Sequence, residues 1–199
     1  MSPRYVTTIL MKCFHPMQMA LLSIACLLTG CEPPKAGPPA GSGAAPSTRN
    51  NCYSLLHQLL HEQKDVSMLR FIKREHSDVK NLVNKIAAAS GAGSELLEEF
   101  AKHDPSINLD DIQLPPGETA ARAAIASTSK KELLGQTGDA FELTLLLTQT
   151  EALSYAWQLA KVAGENESQP DRARALAGVS KDMENLHHQV FVMLLSKVK

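Results

Sequence analysis

The sequence predicts an all-α fold, and three observations lead there. Beyond Asn50 apolar residues recur every three or four positions, no stretch alternates as a half-buried strand would, and proline is confined to the neighbourhoods of Asp104, Leu114 and Gln169. Four long helical stretches separated by short breaks read as a four-helix bundle with one or two short extra helices.

A short first helix, about Cys52 to Gln63, presents Leu55, Leu56, Leu59 and Leu60 on one face. A longer helix over Val66 to Ser90 carries the seam Leu69, Ile72, His76, Val79, Val83 and Ile86, with the three-four spacing of a packed edge. Gly91 and Gly93 are expected to end it, and Ser94 to cap a small helix through His103 whose Leu96, Leu97 and Phe100 cover one end of the bundle. Asp104 to Gly117, punctuated by Pro105, Pro115 and Pro116, reads as an extended crossover. Helix resumes near Glu118 and runs toward Leu134, its alanines allowing close approach of a neighbour. Gly135 and Gly138 break the pattern, and Asp139 reads as the N-cap of the strongest helix, which ends at Gly164 and buries Phe141, Leu145, Gln149, Ala152, Ala156 and Leu159. The last helix, Asp171 to about Lys197, buries Leu176, Met183, Leu186, Val190 and Leu194, with Lys181 and Asp182 outside.

Ahead of this domain the chain is organised differently. Residues 1–30 read as a signal peptide: Lys12 supplies a basic head, Ala20 to Leu28 an apolar run too short to cross roughly 30 Å of hydrocarbon, and Leu28-Thr29-Gly30-Cys31 a cleavage site. Met11 is an alternative start to Met1, because Met11-Lys12 stands where the basic region should begin. The pattern resembles that of bacterial lipoproteins, which implies cleavage between Gly30 and Cys31 and acyl chains on the Cys31 thiol. By the same resemblance Glu32, in place of the Asp that retains such proteins at the inner membrane, favours the outer membrane of a Gram-negative cell. Residues 31–50 are then a Pro/Gly/Ala/Ser-rich tether spanning about 25 Å, and 51–199 the folded domain.

Composition removes one class of function. Cleavage takes Arg4 and Lys12 from the 20 basic residues and none of the 21 acidic ones, so the remainder is slightly acidic and lacks the electrostatic footprint of a nucleic-acid binder. Cys13 and Cys26 leave with the signal and Cys31 carries lipid, so Cys52 is the remaining thiol and is expected to be buried.

Phe71-Ile72-Lys73-Arg74-Glu75-His76-Ser77, followed by Asn81-Leu82 and Ile86-Ala87, resembles a helix of ferritin-like bacterial envelope proteins of unknown function, and Gly138-Asp139-Ala140-Phe141-Glu142 resembles the Gly-x-x-Phe-Asp entry of their third helix. The resemblance spans Val66 to Leu195 and implies a ferritin-like, up-down bundle with a crossover. Where that family often places His, this chain has Ala152 and Leu153, so the likeness carries fold and not a histidine-centred activity.

Glu184-x-x-His187 is the only E-x-x-H in the chain, whereas a ferritin-like di-iron centre needs two such pairs; Glu151 is followed at that spacing by Ser154. A looser mononuclear transition-metal site of His76, Glu184 and His187 remains, with Gln149 as a polar core residue; the alternative is a hydrogen-bonded core layer. His57-x-x-x-His61 has the i,i+4 spacing of zinc sites but lies opposite the Leu55/Leu59 face and reads as a solvated pair. No nucleophile elbow, phosphate loop or Cys-x-x-Cys is present. The sequence therefore predicts a lipid-anchored, non-enzymatic envelope protein whose partners are the membrane, through Cys31, and another envelope protein. A mononuclear metal protein is the first alternative, and a small-ligand carrier using Met183, Met193 and Trp157 the second.

Overall fold

The computed structural model describes residues 47–67 and 76–198. Gly30, Cys31, Leu69, Ile72 and most of the Phe71–Ser77 motif lie outside them. Among the described residues the fold is all-α, with α1 (Thr48–Lys64), α2 (Ser77–His103), α3 (Pro116–Gly135), α4 (Gly138–Glu165) and α5 (Pro170–Lys197). None of these helices is long and apolar enough to cross a membrane.

Among the described residues the buried side chains come from α1, α2, α4 and α5, with Val66 and Ile107 beside them. α1 packs against α2 and α4, and α5 packs against α4 and α2. Contacts at the helix ends give their directions. The start of α1 meets the residues that follow α2, Arg49 Nη2 donating to Ser106 Oγ at 2.7 Å, and Tyr53 donates to Glu167 Oε2 at 2.7 Å in the α4–α5 turn. At the opposite end His76 and Glu142 join the starts of α2 and α4 to Lys197 at the end of α5. α1 is thus antiparallel to α2 and α4, and α5 antiparallel to α4 and α2, and the segment 104–115 with α3 carries the chain back along the domain before α4 begins.

The periodic stretches of α4 and α5 fold as their spacing predicts. Leu176, Met183, Leu186, Val190 and Leu194 are buried on α5, and Phe141, Leu145, Gln149, Ala156 and Leu159 on α4; Leu153 is buried in place of the expected Ala152. Asp139 is in the first turn and not the cap, because the helix starts one residue earlier, on Gly138 at φ 59°, a left-handed conformation open to glycine. Ser47 caps α1, its Oγ accepting from Asn50 N at 3.1 Å, so helix begins at Thr48 inside the expected tether and Asn50 is buried.

Two expectations are corrected. Gly91 and Gly93 do not end a helix: α2 runs through them to His103, and Ser94 lies buried within it. These small residues allow α1 to press against α2. A Cβ at Gly93 would lie 2.8 Å from Leu60 Cδ1, and Leu60 is fully buried, so the position is occupied by a neighbour. The second correction concerns α3, expected among the four core helices. It buries no residue and packs chiefly against α4, whereas α1, expected to be a short extra helix, belongs to the core.

These packing differences predict opposite effects for two helical glycines in urea unfolding. Gly93→Leu, forced against Leu60, is expected to lower stability by about 1–3 kcal/mol. Gly178→Ala, with nothing within 4 Å of the added Cβ, should raise it by about 0.5–1 kcal/mol. Equal effects at the two sites would contradict the α1–α2 close approach.

Candidate metal centre

The antiparallel register of α1 and α2 is set by a row of contacts. Lys64 Cβ faces Gly91, Leu60 packs on Gly93, and Tyr53 meets Phe100 edge-on at a centroid distance of 6.4 Å. His57 falls within that row and meets Glu98, its Nε2 lying 3.1 Å from Glu98 Oε1. His61, one turn further, stacks obliquely on His57 with ring centroids 5.9 Å apart. One donor atom from each of His57, His61 and Glu98 lies within 4.8 Å of the others.

That arrangement corrects the reading of His57 and His61 as a solvated pair. His61 is exposed, but the His57 side chain is only 18% exposed because α1 buries a broad arc against two neighbours. The 3.1 Å between His57 and Glu98 is close to the edge, roughly 3.3 Å, of a tetrahedron with metal–ligand bonds of about 2.0 Å. The hydrogen bond with His57, whose proton a bound metal would displace, holds the Glu98 carboxyl below its ordinary range. Ser94 Oγ donates to the same Glu98 oxygen at 3.4 Å and orients it. His61 lies in the last turn of α1, where the helix dipole favours a cation, and Lys64 in the same turn adds an opposing positive charge.

A second triad, His76, Asp139 and Glu142, has the same donor types but the opposite electrostatics. It sits at the starts of α2 and α4, the positive ends of both helices. A cation is already in place: Lys197 Nζ donates to Glu142 Oε2 at 2.8 Å and lies 3.6 Å from Asp78 Oδ2. His76 Nδ1 lies 2.9 Å from Glu142 Oε1, to which the His76 backbone N–H also donates. Burial alone would raise the Glu142 carboxyl, but the bonds from Lys197 and His76 outweigh it and hold it below its ordinary value. This cluster is an ionic latch joining three helix ends.

The other end of the domain shapes a cleft beside the first triad. Glu167, whose side chain is fully buried, receives Tyr53 and Arg172, and Arg172 pairs with Asp104 Oδ2 at 2.8 Å. Burial and then the Glu167 bond keep Tyr53 protonated. The Ser106 hydroxyl and N–H, then Arg172, draw Asp104 down to about 2. Asn50 pins the following turn, donating to Asn108 O at 3.3 Å and accepting from Asn108 N at 2.7 Å, while Ser54 Oγ donates to Asp111 O at 3.0 Å. The pinned turn walls an open cleft of about 430 Å³ that His57 and Glu98 line from the helix side.

His76, Glu184 and His187, grouped from helical spacing, are not brought together. His76 is no seam residue; it precedes α2 at the N-cap with its side chain 66% exposed. Glu184 is exposed at a separate α4–α5 cleft of about 540 Å³, and His187 is half-buried. Lys197, which meets the His76 latch, lies nearly three turns beyond His187 on α5, roughly 15 Å. Gln149 is buried, its Oε1 without a hydrogen-bond partner among the described residues. Cys52 is buried, which pushes its thiol up. Met183 belongs to the core cluster, and Trp157 and Met193 are partly buried against that cluster. Glu98 escaped the sequence reading because its pairing with His57 depends on the α1–α2 register; the available signal was an acid on a helix already expected from Ser94 to His103.

Comparison with known proteins finds no matching family model, no similar curated protein and no similar solved structure.

The paired carboxylates at the two ends of the domain predict acid sensitivity. Glu142 and Glu167 are held below the ordinary 4.5, so their contribution is complete above that pH and lost as pH falls through their lower folded values; Asp104 adds a loss between 3.8 and about 2. Urea midpoints should be flat down to about pH 5 and then fall. Glu142→Gln should be less stable at neutral pH and fall less steeply below it; a slope unchanged by that substitution would contradict the assignment.

Proposed function

We propose that this chain is a lipid-anchored metal-binding protein of the bacterial cell envelope, built as a four-helix bundle of α1, α2, α4 and α5 with ferritin-like crossover connectivity, and holding a transition metal ion through His57, His61 and Glu98. One observation carries the metal assignment: two imidazoles at i,i+4 and a carboxylate from the adjacent helix converge within 4.8 Å. Two neutral nitrogens and one carboxylate suit zinc and its borderline neighbours, and three protein ligands are the count of a site that keeps a position open. The anchor rests on the sequence pattern at Cys31, and the tether then hangs the domain near the bilayer. A contact role with another envelope protein is the second reading, supported by Phe191, Val192 and Leu195 exposed along α5.

The test is elemental analysis of the full-length chain, purified without chelator and challenged with zinc, cobalt, copper, nickel, manganese and iron. Stoichiometric metal should be lost in His57→Ala and Glu98→Ala and kept in His76→Ala, Glu184→Ala and His187→Ala. The reverse pattern would move the site to the last three residues, and an unmetallated wild type would leave the contact role. In the same cells, Cys31→Ser should shift the chain from the membrane to the soluble fraction; no shift would contradict lipid anchoring.

A further inference from the structure

The outer face of α5 carries a second heptad-spaced stripe, separate from the one it buries. Ala177, Lys181, Glu184, His188, Phe191 and Leu195 follow one another at intervals of four and three, and all six are exposed. The stripe changes character along its length. Toward the C-terminus it is an apolar ridge, with Phe191, Val192 and Leu195 standing in solvent. Toward the N-terminus it borders the open cleft of about 540 Å³ between α4 and α5, walled by the small residues Gly164, Ala173, Ala177 and Ser180. Lys181 and Glu184 stand between cleft and ridge, and neither has an ion-pair partner among the described residues.

We propose that this face docks a second copy of the chain, α5 lying antiparallel on α5 about a twofold axis that passes between Lys181 and Glu184. At that axis Lys181 of each copy faces Glu184 of the other, and the pair occurs twice because the interface is isologous. One turn outward Ala177 faces His188 of the other copy. A turn further, Arg174 faces Phe191, a cation over an aromatic ring, and Ala173 faces Val192. The ridge of each copy therefore falls on the cleft of the other, large side chains meeting small ones, and opposite charges meet at the centre. A parallel pairing would set Lys181 on Lys181, Glu184 on Glu184 and ridge on ridge, with both clefts left empty. Charge order and shape thus select the same antiparallel register, and the chain itself supplies both halves of the match.

Sedimentation equilibrium of the full-length chain in a density-matched detergent tests this. The wild type should dimerise reversibly, with or without added zinc, since α5 carries none of His57, His61 and Glu98. Phe191→Asp should raise the dimer Kd about a hundredfold and Lys181→Glu about tenfold, with helix content unchanged in circular dichroism because both side chains are exposed. Adding Glu184→Lys to Lys181→Glu exchanges the charges within each copy and should restore the wild-type Kd; this arm keeps the test open if Phe191→Asp does not fold. A wild type still monomeric at about 100 μM would overturn the proposal and leave the ridge to a different envelope protein. A dimer that none of these substitutions weakens, or one that the charge exchange does not restore, would overturn it as well.

Discussion

Leu60 pressed onto Gly93 is the contact on which the rest of the domain depends. A side chain at position 93 would collide with Leu60, so glycine there lets two helices approach more closely than larger residues permit. The approach fixes the register of α1 against α2, and the register decides which polar residues meet. With Leu60 on Gly93, Tyr53 comes to Phe100 and His57 to Glu98. Without it the three candidate ligands would be unrelated surface residues on two helices.

The two ends of the domain are held by different polar devices, each with consequences for the site. At one end Lys197 and His76 satisfy the buried Glu142, tying the starts of α2 and α4 to the end of α5. A cation there would have to displace an ammonium from between two helix N-termini, so the cluster is self-neutralised and closed to metal. At the other end Arg172 bridges Glu167 and Asp104, fastening the segment after α2 to the α4–α5 turn. Asn50 and Ser54 then hold that segment against α1, and its apolar residues become a cleft wall. Folding contacts at the start of α1 thus hold a wall beside the candidate ligands, which lie farther along the same helix and on α2.

Much of the fold was legible in the sequence because long amphipathic helices announce their buried faces. The five residues expected inside α5 are inside, and of the six expected inside α4 all but Ala152 are buried, Leu153 taking its place. Glycine was the ambiguous signal. Gly91 and Gly93 carry the composition of a helix end, yet the same lack of a side chain permits close packing, and only the position of Leu60 separates the two. The alanine-rich α3 had the spacing of a core helix but too little side-chain volume for one, and it lies outside. Helical spacing correctly marks residues that share a face of one helix, as for His57 and His61. It says nothing of how two helices slide against each other, so Glu98 was invisible and His76 was joined to residues near the middle of α5.

The coordination of the metal itself is the property to measure most directly. X-ray absorption at the zinc edge of the loaded full-length chain should show two imidazoles and oxygen donors in a four-coordinate shell, with one imidazole lost in His57→Ala. A shell of water oxygens alone, or an imidazole contribution indifferent to His57 and removed with His76 or His187, would contradict it.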